Sequence, residues 1–132
     1  MRFKDRLGQK LPSESLICEY RSAEKLFSAR FGKSQLFLPR LFHTDVFDYS
    51  AMHSAFLQTE FVECLTSEFP AEYNVYRLFF CAEQQDHPLM LTVDSAVKAE
   101  RILSKLTAYA PHVEIRPEVR VPSRGSFNAP RH

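Results

Sequence analysis

Residues 49–69 read YSAMHSAFLQTEFVECLTSEF and are followed by Pro70. At about 100° per residue, Ala51, Ala55, Val62, Leu65 and Phe69 gather on one side, and Leu57, Phe61 and Cys64 widen it. The spacing predicts a helix from about Tyr49 to Phe69. Asp48 or Ser50 would cap its start, and Pro70, which lacks an N–H and clashes with the preceding turn, would stop it. Opposite the apolar side runs a stripe of His53, Phe56, Glu60, Glu63 and Ser67, expected to meet solvent or a partner.

Upstream of this stretch, Leu16 to Tyr20 reads as a short strand. Ser22 then caps an expected helix over Ala23 to Phe31, with Ala23, Leu26, Phe27 and Phe31 on one face and Gly32 ending it. Gln35 to Leu38 is expected as a brief strand and residues 40–48 as irregular chain. Downstream, Tyr73 to Glu83 alternates with apolar residues on both faces, the pattern of a central strand. Residues 84–88 turn the chain into a second strand, Leu89 to Val93, making a hairpin.

Asp94 is expected to cap a third helix from Ser95 to about Ala110, striped by Ala96, Ala99, Ile102, Leu103, Leu106, Tyr109 and Ala110. His112 to Arg116 alternates as a last strand. Beyond it Pro117, Pro122, Gly125 and Pro130 stand among Arg120, Arg124 and Arg131, so residues 117–132 read as a basic arm after a globular domain over 1–116. The fold class expected is α+β: a small antiparallel or mixed sheet of three to five strands, with about three helices packed mainly on one face.

The chain has 132 residues, 45% of them hydrophobic, including 12 Phe and 5 Tyr. That suits one domain with one core. No run approaches about 18 apolar residues, and the opening Met-Arg-Phe-Lys-Asp-Arg lacks an apolar leader. A soluble, cytoplasmic protein without membrane contact is expected. Cys18, Cys64 and Cys81 are odd in number, widely spaced and flanked by apolar residues, so buried free thiols are expected.

Charge is sorted along the chain. Residues 1–40 carry a net +5, residues 41–94 a net −8 with Arg77 as their one cation among Lys and Arg, and residues 95–132 a net +4. Segregation of this kind creates an oriented field that steers binding partners.

The motifs for chemistry are thin. Phe31-Gly32-Lys33-Ser34 ends like a phosphate loop, but Phe27 stands where that loop needs its first glycine. His43, Asp45, Asp48 and His53 are the densest set of potential metal ligands, without a spacing that fixes a geometry, so no metal and no cofactor is assigned. No Gly-x-Ser-x-Gly elbow exists, and Glu60 and Glu63 lie on the expected exposed helix face, so no catalytic residue is assigned either.

Binding is therefore the expected function. The leading expectation is a non-catalytic intracellular binding protein, an adaptor, inhibitor or accessory factor, using Phe56, Glu60, Glu63 and Ser67 against a protein partner or a second copy of itself. In that expectation Glu60 and Glu63, which lack a cation four residues on, receive basic groups from outside. The alternative is nucleic-acid binding through Lys98, Arg101 and Lys105 of the third helix with Arg120 and Arg124 of the arm.

Overall fold

The computed structural model describes residues 1–64, 71–84 and 86–122. In chain order the elements are β1 (Phe3–Lys4), β2 (Lys10–Leu11), α1 (Ser13–Ser22), β3 (Glu24–Leu26), β4 (Ala29–Phe31), β5 (Gln35–Pro39) and β6 (Thr44–Asp48). A single 3-10 turn at Tyr49–Ala51 leads to β7 (Ser54–Cys64), β8 (Ala71–Cys81), β9 (Leu89–Val93), α2 (Ala96–Tyr109), β10 (Glu114–Ile115) and β11 (Val119–Pro122). Among the described residues the protein is thus mostly β, with eleven strands in two mixed sheets and two helices. This corrects the expected small sheet under about three helices.

The first sheet has the order β2-β1-β6-β5-β4-β3, with β1 parallel to β6 and its other neighbours antiparallel. The second runs β10-β7-β8-β9, and both β10 and β11 pair with β7 in parallel. Ile115 stands opposite Ala55 and Val119 opposite Gln58, so the 115–119 side carries one residue more than its partner. The extra residue falls around Pro117, which has no N–H for the ladder, and splits one edge into two short strands. The expected arm from 117 onward therefore includes a docked strand at Val119–Pro122; residues 123–132 lie outside the described residues.

The stretch that was to be the second helix is a turn followed by β7. Read at a period of two, Ala55, Leu57 and Thr59 are buried on one side, while Phe56, Gln58 and Glu60 between them stay partly exposed. Its β-branched and aromatic members (Phe56, Thr59, Phe61, Val62) suit a pleated strand, and pairing with β8 over eleven residues settles a choice that the apolar spacing left open. The inner face continues through Leu78 and Phe80 of β8 and Leu89, Leu91 and Val93 of β9. Across it α2 lays Ala99, Ile102, Leu103 and Leu106, and the same core takes in Phe31, Leu36, Leu38 and Phe47 of the first sheet.

The other exchange is upstream. Leu16–Tyr20, expected as a strand, lies in α1, because Leu16 and Tyr20 four residues apart bury together against Phe3, Phe37 and Val46. Phe3, Tyr20 and Phe37 meet edge to face at 5.3 to 5.9 Å, an arrangement that adds about 0.5–1.5 kcal/mol per pair beyond burial. Cys18, expected buried, is exposed on this helix. Ala23–Phe31, expected as a helix, is the β3–β4 hairpin, turned by Phe27 at φ 56° and Ser28. Residues 40–48, expected irregular, contain β6.

Three expectations hold: β5, the β8–β9 hairpin and α2 stand where they were placed, although α2 is capped by Ser95 rather than Asp94, through its side chain accepting from Lys98 N at 3.1 Å.

The Gly-Lys-Ser sequence has a structural use. The backbone N–H groups of Ser34 and Gln35 donate to Glu19 Oε2 at 2.7 and 3.0 Å, and Ser34 Oγ donates to Oε1 at 3.1 Å. A carboxylate from α1 thus fills the concavity that an anion would occupy in a phosphate loop. A Cβ on Gly32 would lie 2.5 Å from Glu19 Oε2, 2.8 Å from the Phe37 ring and 2.9 Å from Gln35 O.

Two results are expected. Phe80→Ala and Leu103→Ala should each lower stability by about 2 to 5 kcal/mol in denaturant titration, because both side chains sit where α2 meets the second sheet. Gly32→Ala should cost roughly 1 to 3 kcal/mol by forcing apart the Glu19 contact, whereas a loss within the scatter of a surface substitution would refute the close approach.

Candidate functional site

Strand β7 pairs with β8 from Ser54 opposite Cys81 to Cys64 opposite Ala71. Since alternate residues point to opposite faces, the face away from α2 has its own rows. Phe56, Phe79 and Met90 form one row across β7, β8 and β9; Val119, Gln58, Arg77 and Thr92 form the next, and Val121, Glu60 and Val75 the one after. Both helices are engaged elsewhere, α2 on the inner face and α1 on the first sheet.

The Phe56 and Phe79 rings stack with centroids 5.2 Å apart and 17° between planes. Met90 at the end of the row is 37% exposed. Beyond it Arg40 Nη2 donates to Met90 O at 2.7 Å, which holds the β5–β6 turn against the β9 edge. That turn presents Leu41 and Phe42 at 86% and 77% exposure. These are two of the most exposed hydrophobic residues described, and exposed apolar groups of this kind mark contact surfaces.

Diagonally across the face Arg77 Nη1 donates to Glu60 Oε1. The side chains of Arg77 and Glu60 are only 28% and 20% exposed. Partial burial strengthens such a pair. At the β10 edge the same face also carries Glu114, opposite Ser54, and Arg116, whose Nε stands 3.8 Å from Glu114 Oε1, so carboxylates and guanidiniums on the face balance.

Of the expected protein-binding residues, Phe56 and Glu60 do share a face. A spacing of four leaves two residues on the same side of a helix or of a strand, so the grouping survives the change of element. Glu60, expected to receive a cation from outside, already has Arg77 from the neighbouring strand. Glu63 pairs with Glu72 in the ladder, and Ser67 lies outside the described residues. Phe79, Arg77 and Met90 were missed as site residues. Their signal was present, since Tyr73, Val75, Arg77 and Phe79 alternate as one face of the expected central strand.

The basic residues of the alternative are drawn into the fold. Lys98 bonds Asp94 at 2.9 Å, and Lys98 and Arg101 both stand over the Phe27 ring, at 5.2 and 5.3 Å. Lys105 Nζ meets Glu24 Oε2 at 2.7 Å, and Tyr109 OH donates to Glu24 Oε1 at 2.7 Å. Arg120 remains largely exposed, with Nε 3.3 Å from Glu118 Oε2, and Arg124 lies outside the described residues. Row by row, α2's cations clamp the β3–β4 hairpin.

His43 Nε2 stands 2.9 Å from Asp45 Oδ1, and Arg40 Nε donates to Asp45 Oδ2 at 2.7 Å, so Asp45 ties the turn together through its Arg40 ion pair and its contact with His43. Asp48 instead accepts from Gln35, and His53 follows the 3-10 turn; the described residues hold no cluster of three metal-capable side chains. Burial pushes the Cys81 thiol above its ordinary range, the opposite of an activated nucleophile. A cleft of about 490 Å³ between the β7–β8 inner face and the start of α2 is lined by Thr59, Phe61, Tyr76, Glu100, Glu118 and Arg120. Thr59 donates to Glu118 there at 2.7 Å.

Comparison of the chain with protein families, with curated proteins and with solved structures gives no match.

The Glu24 contact carries a pH signature. Its hydrogen bonds from Lys105 and Tyr109 hold the carboxyl below its ordinary range. A depressed folded-state pKa gives stability that is present above the ordinary carboxylate range and lost as pH falls through the depressed value. Wild type and Glu24→Gln should therefore differ in melting temperature at neutral pH and converge in acid. A gap that stays constant with pH would refute the charged contact.

Proposed function

We propose that this chain is a non-catalytic binding protein whose contact surface is the outer face of the β7–β8–β9 sheet. The observation that carries the reading is the row Phe56–Phe79–Met90, aromatic and apolar, partly exposed, and crossed by the Glu60–Arg77 pair one step along the strands. Contact surfaces commonly centre on a few large apolar or aromatic anchors with polar groups around them. Here Gln58, Thr92, Glu60 and Arg77 supply the polar groups, and they fix orientation more than they add affinity.

The partner class is protein. A sheet face on which carboxylates and guanidiniums balance lacks the excess of cations that phosphate binding requires. No helix among the described residues is long and apolar enough to cross a membrane. We place the protein in the cytoplasm on the strength of its free thiols at Cys18 and Cys81, which a reducing compartment maintains.

Capture of partners on the immobilised full chain, with and without nuclease, tests the reading. Wild type should retain its partners after nuclease, and Phe79→Asp should lose them while keeping its circular dichroism and a cooperative melt. Phe56→Ala should weaken the contact about tenfold, or about 1.4 kcal/mol. Equal capture by Phe79→Asp would remove the proposed surface. Loss of every partner on nuclease treatment would favour nucleic-acid binding instead.

A further inference from the structure

We propose that the partner seated on this face is a second copy of the same chain. The proposal rests on the reading of the face as a contact surface and goes beyond it by naming the occupant. The argument is charge complementarity. A strongly acidic or basic partner would seek a face of opposite sign, but this one balances Glu60 against Arg77 at its centre and Glu114 against Arg116 at its β10 edge. The surface that complements a balanced pair is another balanced pair turned to meet it.

The register allows that turn. Glu60 stands opposite Val75, and Arg77 stands opposite Gln58, two residues away along the strands. A two-fold axis lying in the interface between β7 and β8, and nearly parallel to them, exchanges the two strands between copies. Phe56 of each copy then faces Phe79 of the other, since the two are direct cross-strand partners. Glu60 of each copy comes within reach of the other's Arg77, so two pairs become a ring of four alternating charges.

Isologous contact of this kind needs one self-complementary patch, which is why two-fold dimers are the commonest assemblies. Two twisted sheets stack with their strands about 30° apart, which an axis inclined by half that angle provides. A whole-chain charge of +1 sets no large repulsion against association.

Sedimentation equilibrium of the full chain at increasing concentration tests this. Wild type should rise from 15.3 kDa to twice that mass, and Phe79→Asp should stay at 15.3 kDa with its circular dichroism unchanged. Charge reversal gives the sharper arm. Glu60→Arg puts two cations where the central pair stood and Arg77→Glu two anions, so each variant alone should remain monomeric. Mixed together, they should form a heterodimer, because each cation then meets an anion of the other chain. A single chain carrying both reversals should dimerise as wild type does, which keeps the test open if one single variant fails to fold.

Wild type at 15.3 kDa at every concentration would overturn the proposal. So would a dimer that persists in Phe79→Asp, or two charge variants that stay monomeric when mixed. A monomeric wild type that still captures other proteins through Phe79 would sink the second copy and leave the contact surface standing. Capture that ignores Phe79→Asp would sink both.

Discussion

One helix has to close two sheets. The buried stripe of α2 packs on β7, β8 and β9 and also reaches β4, so Ile102, Leu103 and Leu106 belong at once to the cover of the second sheet and the inner side of the first. Its polar rim finishes the job. Glu24 takes Lys105 and Tyr109, and Phe27 lies under Lys98 and Arg101, which fastens the β3–β4 hairpin along the helix. Phe27 holds φ at 56°, a conformation that costs a non-glycine residue roughly 1 to 3 kcal/mol, and the two cations over its ring offset part of that cost. With α2 committed to one face, the opposite face of the second sheet receives neither helix. That neither of the described helices covers this face follows from how the two are committed, and no special feature of the face is needed to explain it.

Charge that is segregated along the sequence is recombined in part in space. Arg6 reaches Asp86 and Arg40 reaches Asp45, joining the basic first third to the acidic middle. Lys98 joins the last third to Asp94 of the middle, and Lys105 joins it to Glu24 of the first. The pairs of Arg6, Lys98 and Lys105 are exposed enough to contribute little stability by themselves, whereas Arg40–Asp45 is as buried as the Glu60–Arg77 pair. Their combined effect is to flatten the field that a linear count of charges implies. What is left for recognition is local: a neutral, aromatic face.

The legible parts of the fold were those whose pattern admitted one reading. The β8–β9 hairpin has alternation on both strands around a polar turn, and α2 has a stripe at helical spacing ended near Pro111, so tertiary contacts only had to agree. Residues 49–69 admitted two. Ala51, Ala55 and Val62 align at a helical period while Ala55, Leu57 and Thr59 align at a strand period, and a single sequence gives no weight to the β8 strand waiting to pair. The exchange between residues 13–22 and 23–31 has the same origin. Both segments are short and moderately apolar, and what decides between them is long-range: Tyr20 finds Phe3 and Phe37, and Arg30 and Phe31 find Phe37 and Leu36 across the ladder.

The site was legible in part for a reason that is independent of the element. Phe56 and Glu60 stay together because four is close to a helical turn and is also even. Residues seven or eleven apart keep no such guarantee, so a stripe of five positions read at helical spacing breaks up on a strand. What replaces it is supplied by the neighbouring strands: Phe79 beside Phe56, and Arg77 diagonal to Glu60. The acidic middle of the chain has one Lys or Arg, Arg77, and the fold places that residue on the face in question. An ion pair set among aromatic residues adds little net stability but penalises every docking that leaves either charge unmatched. Around the Phe56–Phe79–Met90 row, that penalty helps to distinguish one register of contact from its neighbours two residues away.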